Sequence, residues 1–347
     1  MHNVSTPLVC LFLMACSGGA ADQKPTTLPD KAEESKQTSA TKSLNVDVFL
    51  PALETPAAPT GDTQRALIDL GRQLYYDVRL SSNDSISCNS CHLLDQYGVD
   101  GTDFSKGVPG TKVGRNSPTV YNASGHIAQF WDGRAADLEA QAKGPILAAK
   151  EMGMPSPEAV VEKLGKTDDY PALFAKAFPS TELSLTYDNV GTAIGAFERN
   201  LVTPSKWDDY LNGDKTALTD AEVNGARAFM EVGCTACHSG TLLGGTMYQK
   251  VGLIEPWPNQ EDQGRFGITQ NEADKMMFKV PSLRNIEKTA PYFHDSSATT
   301  LDQAIRKMAK HQLGKTLEEQ QVEDITAFLN ALTGPLPEAY IAQRPIQ

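Results

Sequence analysis

Two pentapeptides constrain this chain more than any other feature. They are C-N-S-C-H, at Cys88, Cys91 and His92, and C-T-A-C-H, at Cys234, Cys237 and His238. Two thiols separated by two residues lie one helical turn apart, the spacing needed to add to both vinyl groups of one haem. The adjacent His then ligates the iron from the proximal side. A redox-active dithiol shares the Cys spacing but has no need of the following His. A four-Cys zinc site would leave both His residues without a role, and the pairs stand too far apart in the chain for a compact zinc ribbon. The pattern reads as two c-type haem attachment sites, with His92 and His238 as proximal ligands.

The chain has 347 residues and a formal net charge of −12. That length suits two domains of about 150 residues each. An acidic surface repels phosphate backbones, which argues against a nucleic-acid partner. No apolar run beyond Ala15 approaches the roughly 20 residues that span a bilayer. Pro7 to Ala15 is a short apolar segment ending L-M-A-C at Cys16. It resembles a bacterial lipoprotein signal, in which residues 1–15 are removed and Cys16 becomes the acylated N-terminus. Met1 to Thr6 lacks the Lys or Arg that such signals carry, so an ordinary cleaved signal with an incidental Cys stays open. Ser17, rather than Asp, implies the outer membrane within that resemblance. Periplasmic export also agrees with haem attachment outside the cytoplasm. From Ser17 to about Thr60 the sequence is polar and poor in apolar residues, so residues 16–60 read as a flexible linker.

The remainder has helical periodicity. Ala66, Leu67, Leu70 and Leu74 share a face before the first haem motif. Before the second, Thr219 and Glu222 form a capping box, followed by a stripe of Val223, Ala226, Phe229 and Met230. Both helices carry a Gly-Arg element, at Gly71-Arg72 and Gly225-Ala226-Arg227, which suggests an internal repeat. Further helices open at Ser156-Pro157-Glu158 and near Thr186, the latter with Val190, Ile194 and Phe197 at helical spacing. A last helix is expected to start with a capping box from Thr316 to Glu319. It carries Val322, Ile325, Phe328, Leu329 and Leu332, and stops at Gly334-Pro335. No alternating strand pattern emerges. The expected class is mostly α, with long loops wrapping two haems.

Four segments carry a closer resemblance: the two haem motifs, A-Q-F-W-D-G-R-A-A-D-L-E-A-Q-A-K-G-P (Ala128 to Pro145) and T-A-P-Y-F-H (Thr289 to His294). Together, over roughly Ala66 to Thr333, they resemble the bacterial di-haem cytochrome c peroxidases. The resemblance implies two cytochrome c-like domains, a peroxidatic one at 61–203 and an electron-transfer one at 204–347 whose C-terminal segment could pack back on the first. It implies hydrogen peroxide as substrate, two haem c, and a small cytochrome c or cupredoxin as electron donor; homodimers are frequent in the family. His92 would serve the peroxidatic haem, with Gln141 and Glu151 on the distal side. A carboxylate there can take and return a proton, and an amide can orient peroxide and stabilise developing charge. For the second haem, Met308 falls on the family's axial position. Met247, Met276, Met277 and His311 are the other downstream candidates, and His/Met ligation raises the potential. Trp131 would lie between the haems. Asn116, with the carbonyls of Thr289 and Pro291, would hold a calcium ion, and His294 would bond a haem propionate.

One position departs from the family. Many relatives place a His in the loop before R-N-S-P to cap the peroxidatic iron, and here that position is Val108. Valine has no lone pair to donate, and His126 is the remaining His nearby among six in the chain. Two other functions fit the haem motifs: a non-enzymatic di-haem electron carrier, which gives Glu151 and Gln141 no job, and a di-haem oxidase modifying a partner protein, whose known member uses Tyr where Met308 stands. The Val108 substitution predicts that the oxidised protein shows a high-spin ferric signal in electron paramagnetic resonance and turns over peroxide without prior reduction. A purely low-spin spectrum, with no turnover until one haem is reduced, would reject this and point to His126 or another capping group.

Overall fold

The computed structural model describes residues 44–108 and 110–343. The signal segment, Cys16 and the linker up to residue 43 lie outside the described residues. The fold is mostly helical. Helix α1 (Asp62–Tyr76) leads into the first haem motif, which forms a 3-10 turn at Cys88–Ser90. After a long loop come α2 (Leu138–Leu147), α3 (Pro157–Gly165), α4 (Tyr170–Ala177) and α5 (Tyr187–Glu198). Short α6 (Lys206–Leu211) precedes α7 (Asp220–Val232) and the second haem turn, Cys234–Ala236. Then follow β1 (Tyr248–Lys250), α8 (Phe266–Thr269), β2 (Met277–Lys279), α9 (Leu301–Leu313), α10 (Glu319–Asn330) and α11 (Glu338–Ile341). The two strands pair antiparallel, Tyr248 opposite Lys279. Three residues each are too few to show an alternating pattern in sequence.

Local chemistry sets the helix starts. The Ser156 side chain caps α3 with Pro157 in its first turn, Thr186 caps α5, and Thr219 with Glu222 forms the capping box of α7. The last long helix differs from expectation. Its box is Glu318 with Gln321, not Thr316 with Glu319. Leu317 is buried in the core, and Glu318 keeps extended backbone, so the helix starts later.

The helices enclose two cores. The first gathers Leu70 and Leu74 of α1, Val190, Ile194 and Phe197 of α5, and Val160, Tyr170 and Phe174 of α3 and α4. The second gathers Ala226 and Phe229 of α7 with Val322, Ile325, Phe328 and Leu329 of α10, around the fully buried Trp207. The repeat read from Gly71 and Gly225 has a packing reason. A Cβ on Gly71 would stand 1.8 Å from the Ala193 carbonyl oxygen of α5, and one on Gly225 would stand 1.9 Å from the Asp324 carbonyl oxygen of α10. Each haem motif is thus preceded by a helix whose glycine lets a partner helix cross at backbone contact.

Both ends of the described chain cross over. Within the stretch read as linker, Phe49 is fully buried against Trp207 and Phe328 of the second core. The Gly240 N–H donates to the Val48 carbonyl at 2.8 Å, and the Leu53 N–H to Asp208 Oδ1 at 2.6 Å. At the other end, α11 lies on the first core, with Ile341 buried there. Arg72 Nε donates to the Tyr340 carbonyl, and the Tyr340 ring stacks on Phe197 at 5.2 Å.

Gly225→Ala is expected to destabilise the protein by about 1–3 kcal/mol through overpacking of the α7–α10 crossing. Thermal unfolding followed by circular dichroism checks this, and an unchanged midpoint would show that the crossing relaxes freely.

Candidate active site: two cavities joined at Trp131

A cavity of about 820 Å³ opens beside the first haem turn. Cys88, Cys91 and His92 form one wall, and Gln141, Pro145 and Glu151 line it from α2 and the turn that follows. His92 Nδ1 lies 3.3 Å from the Gly98 carbonyl oxygen. A neutral ring donating from Nδ1 leaves the Nε2 lone pair for a metal. Burial favours that neutral form by holding His92 below the usual histidine range. Glu151 closes a turn in which its N–H donates to the Ala148 carbonyl at 2.9 Å. Burial raises its carboxyl above the ordinary value, and the positive charge of Arg134 offsets part of the rise. Val108 donates its N–H to the Glu151 carbonyl at 2.7 Å, and its side chain is not among those lining the cavity.

His126 does not line this cavity either. Its Nδ1 lies 2.9 Å from Lys279 Nζ, and burial, then the lysine's charge, push the imidazole down to about 3. Burial also lowers Lys279, to about 8.

The second cavity, about 220 Å³, is lined by Cys234, Cys237 and His238, with Met308 contributed by α9. His238 Nδ1 lies 3.0 Å from the Leu243 carbonyl oxygen, repeating the arrangement at His92. Of the five downstream ligand candidates, Met308 alone lines this cavity among the described residues. Met276 is buried in a small cluster with Trp257 and Phe278. His311 Nδ1 faces the Glu255 carbonyl at 3.1 Å, and its ring lies edge-on to Trp257 at 5.1 Å.

Trp131 lines both cavities, as does the strip Asn116 to Thr119. Trp131 Nε1–H donates to the Asn116 carbonyl at 2.9 Å, and the Asn116 N–H donates to the His294 carbonyl at 3.0 Å. Asn116, Thr289 and Pro291 all line the second cavity. Among the described residues no hydrogen bond uses Asn116 Oδ1 or the Thr289 and Pro291 carbonyls, so three oxygens suited to a hard cation stay unclaimed.

These walls fit haem c. Each cavity has two thiols and a neutral imidazole. His294 adds a further sign: it is 3% exposed and lines the second cavity, and its Nε2 is buried with no partner. A propionate would satisfy that nitrogen.

Similarity to known proteins agrees with this construction. Residues 65–216 match the family model described as di-haem cytochrome c peroxidase. The cytochrome c551 peroxidase of Nitrosomonas europaea is 46% identical over 275 residues, covering 78% of this chain and 81% of that protein. The chain belongs to the di-haem cytochrome c peroxidase family. The cytochrome c551 peroxidase of Pseudomonas aeruginosa is 43% identical, with 82% of each chain covered. Among solved structures, a MauG-like protein associated with microbial copper homeostasis superimposes with a TM-score of 0.70 at 30% identity, covering 87% of this chain and 97% of that one.

Sequence reasoning missed three features of this peroxidase-family site. Arg115 lines the first cavity between Asp132 and Asp262, each at 2.6 Å. Lys279 lines the second. Glu198 lines the first although it lies one helical turn after Ile194, on the apolar face of α5. An acid on an apolar face was the available signal.

Because the cavities have separate thiol pairs, a Cys88→Ala/Cys91→Ala variant should carry one covalent haem per chain instead of two. A pyridine haemochrome assay checks this; retention of both haems would contradict the attachment site.

Proposed function

We propose that this chain reduces hydrogen peroxide to water with electrons from a small periplasmic cytochrome c or cupredoxin. One observation carries the reading: the two cavities are unequal. The first cavity offers His92 an amide and a carboxyl as cavity neighbours, whereas His238 shares its cavity with a thioether. When bound, two haem c groups would supply iron that accepts peroxide at the first site and stores an electron at the second. His92 would hold the first haem, and His238 with Met308 the second. Gln141 orients the peroxide by hydrogen bonding. Glu151 takes a proton from one peroxide oxygen and returns it to the other as the O–O bond breaks, a task its raised carboxyl suits. Trp131, in the shared wall, conducts between the sites. Asn116 with the carbonyls of Thr289 and Pro291 would hold a calcium ion that braces that wall.

In this reading residues 61–203 serve the peroxidatic haem and 204–347 the electron-transfer haem. The protein acts in the periplasm, tethered to the outer membrane through acylated Cys16. The relatives' names support the activity.

Glu151→Gln should lower peroxide turnover by on the order of 10²-fold or more, the usual worth of general acid–base catalysis. The absorption of the Met308-ligated haem should stay unchanged. Undiminished turnover in the variant would remove the acid–base assignment. A wild-type protein with both irons six-coordinate and inert to peroxide would leave an electron carrier.

A further inference from the structure

Reducing peroxide consumes H2O2, two electrons and two protons and yields two waters. Glu151 can shift a proton that peroxide already carries, but two more must reach the first cavity from outside. We infer that Glu198 passes these protons into the first cavity from the surface acid Glu139. The inference rests on the peroxidase reading above and deepens it.

Glu198 is the last residue of α5, 4% exposed, and lines the same cavity as Gln141 and Glu151. Among the described residues its carboxyl makes no ion pair and no hydrogen bond. A buried acid held by nothing is costly to keep for structure alone. Its path to solvent is short. Glu139 of α2 has a side chain 26% exposed and pairs with Arg199 at 2.5 Å. It lies across α5 at Gly195, where an added Cβ would stand 3.0 Å from Glu139 Oε1. The absence of a side chain at Gly195 lets the surface carboxylate approach one turn before Glu198.

The groups facing Glu198 keep it protonated. Burial, then the negative charge of Glu139, raise its carboxyl to about 8, and Arg199 offsets part of that. From α1, Tyr75 is itself pushed well up by burial and stays neutral, with its hydroxyl donating to the His92 carbonyl at 2.8 Å. From the haem turn, Cys88 becomes an uncharged thioether on attachment. Glu198 therefore holds its proton at neutral pH. After giving it to the cavity, it regains one from solvent through Glu139. As pH rises through about 8 the carboxyl empties, so proton supply fails on the alkaline side.

The test uses the di-haem holoprotein. Glu198→Gln keeps the shape but cannot release a proton. We expect kcat with peroxide to fall roughly tenfold to a hundredfold, with KM little changed, a larger solvent deuterium isotope effect, and no alkaline limb attributable to this group. Glu198→Asp should recover part of the rate, and Glu139→Gln should show a smaller loss of the same kind. Independently of turnover, infrared spectra of the resting protein should show a protonated carboxyl band at neutral pH that Glu198→Gln removes. Wild-type rate, pH profile and isotope effect in Glu198→Gln would overturn the relay while leaving the peroxidase reading intact, as would an ionised Glu198 at neutral pH. A wild-type holoprotein that does not turn over peroxide overturns both. If Glu198→Gln fails to load haem, the Glu198→Asp and Glu139→Gln profiles decide.

Discussion

The hydrogen bond from Trp131 to the Asn116 carbonyl secures the partition on which the rest of the molecule depends. One strip of chain, Asn116 to Thr119, faces one cavity on one side and the other cavity on the other. The strip is held from both directions: Asn116 takes the indole N–H on its carbonyl and gives its own N–H to the His294 carbonyl. Arg115, next in sequence, is pinned by Asp132 and Asp262 from different parts of the chain. Backbone hydrogen bonds and paired charges hold this shared wall.

The two sides of that wall are built alike and finished differently. Each has a 3-10 haem turn after a glycine-notched helix, and each has an imidazole anchored by a backbone carbonyl. The difference lies in the other groups that line each cavity. Gln141, Glu151 and Glu198 line the first cavity, and the carboxyls of Glu151 and Glu198 sit above their ordinary range. Apolar groups and Met308 line most of the second. Duplicated architecture supplies the scaffold, and a handful of side chains sets the chemistry apart.

What could be read from the sequence was what is local in the chain. The haem motifs, the caps at Ser156, Thr186 and Thr219, and the stripes through Phe197 and Phe328 depend on neighbours within a turn or two. The start of α10 was misplaced because a distant core claims Leu317 and holds the preceding residues extended. The burial of Phe49 was overlooked because it and its apolar neighbours Leu44, Val46, Val48 and Leu50 close a longer stretch that is mostly polar. Chain distance alone did not separate Met308 from Met276 and His311; the family resemblance favoured Met308, and of the three it is the one that lines the second cavity among the described residues. Glu198 was visible as an oddity in a helical face, but what it faces depends on α2.

The crossed ends of the chain have a mechanical consequence. Phe49 clasps the half that carries Cys234, while Tyr340 and Ile341 clasp the half that carries Cys88. Prising the halves apart would strip an aromatic anchor from each at once. Any motion that separated the two haem turns would have to break both contacts, so the crossed ends oppose it.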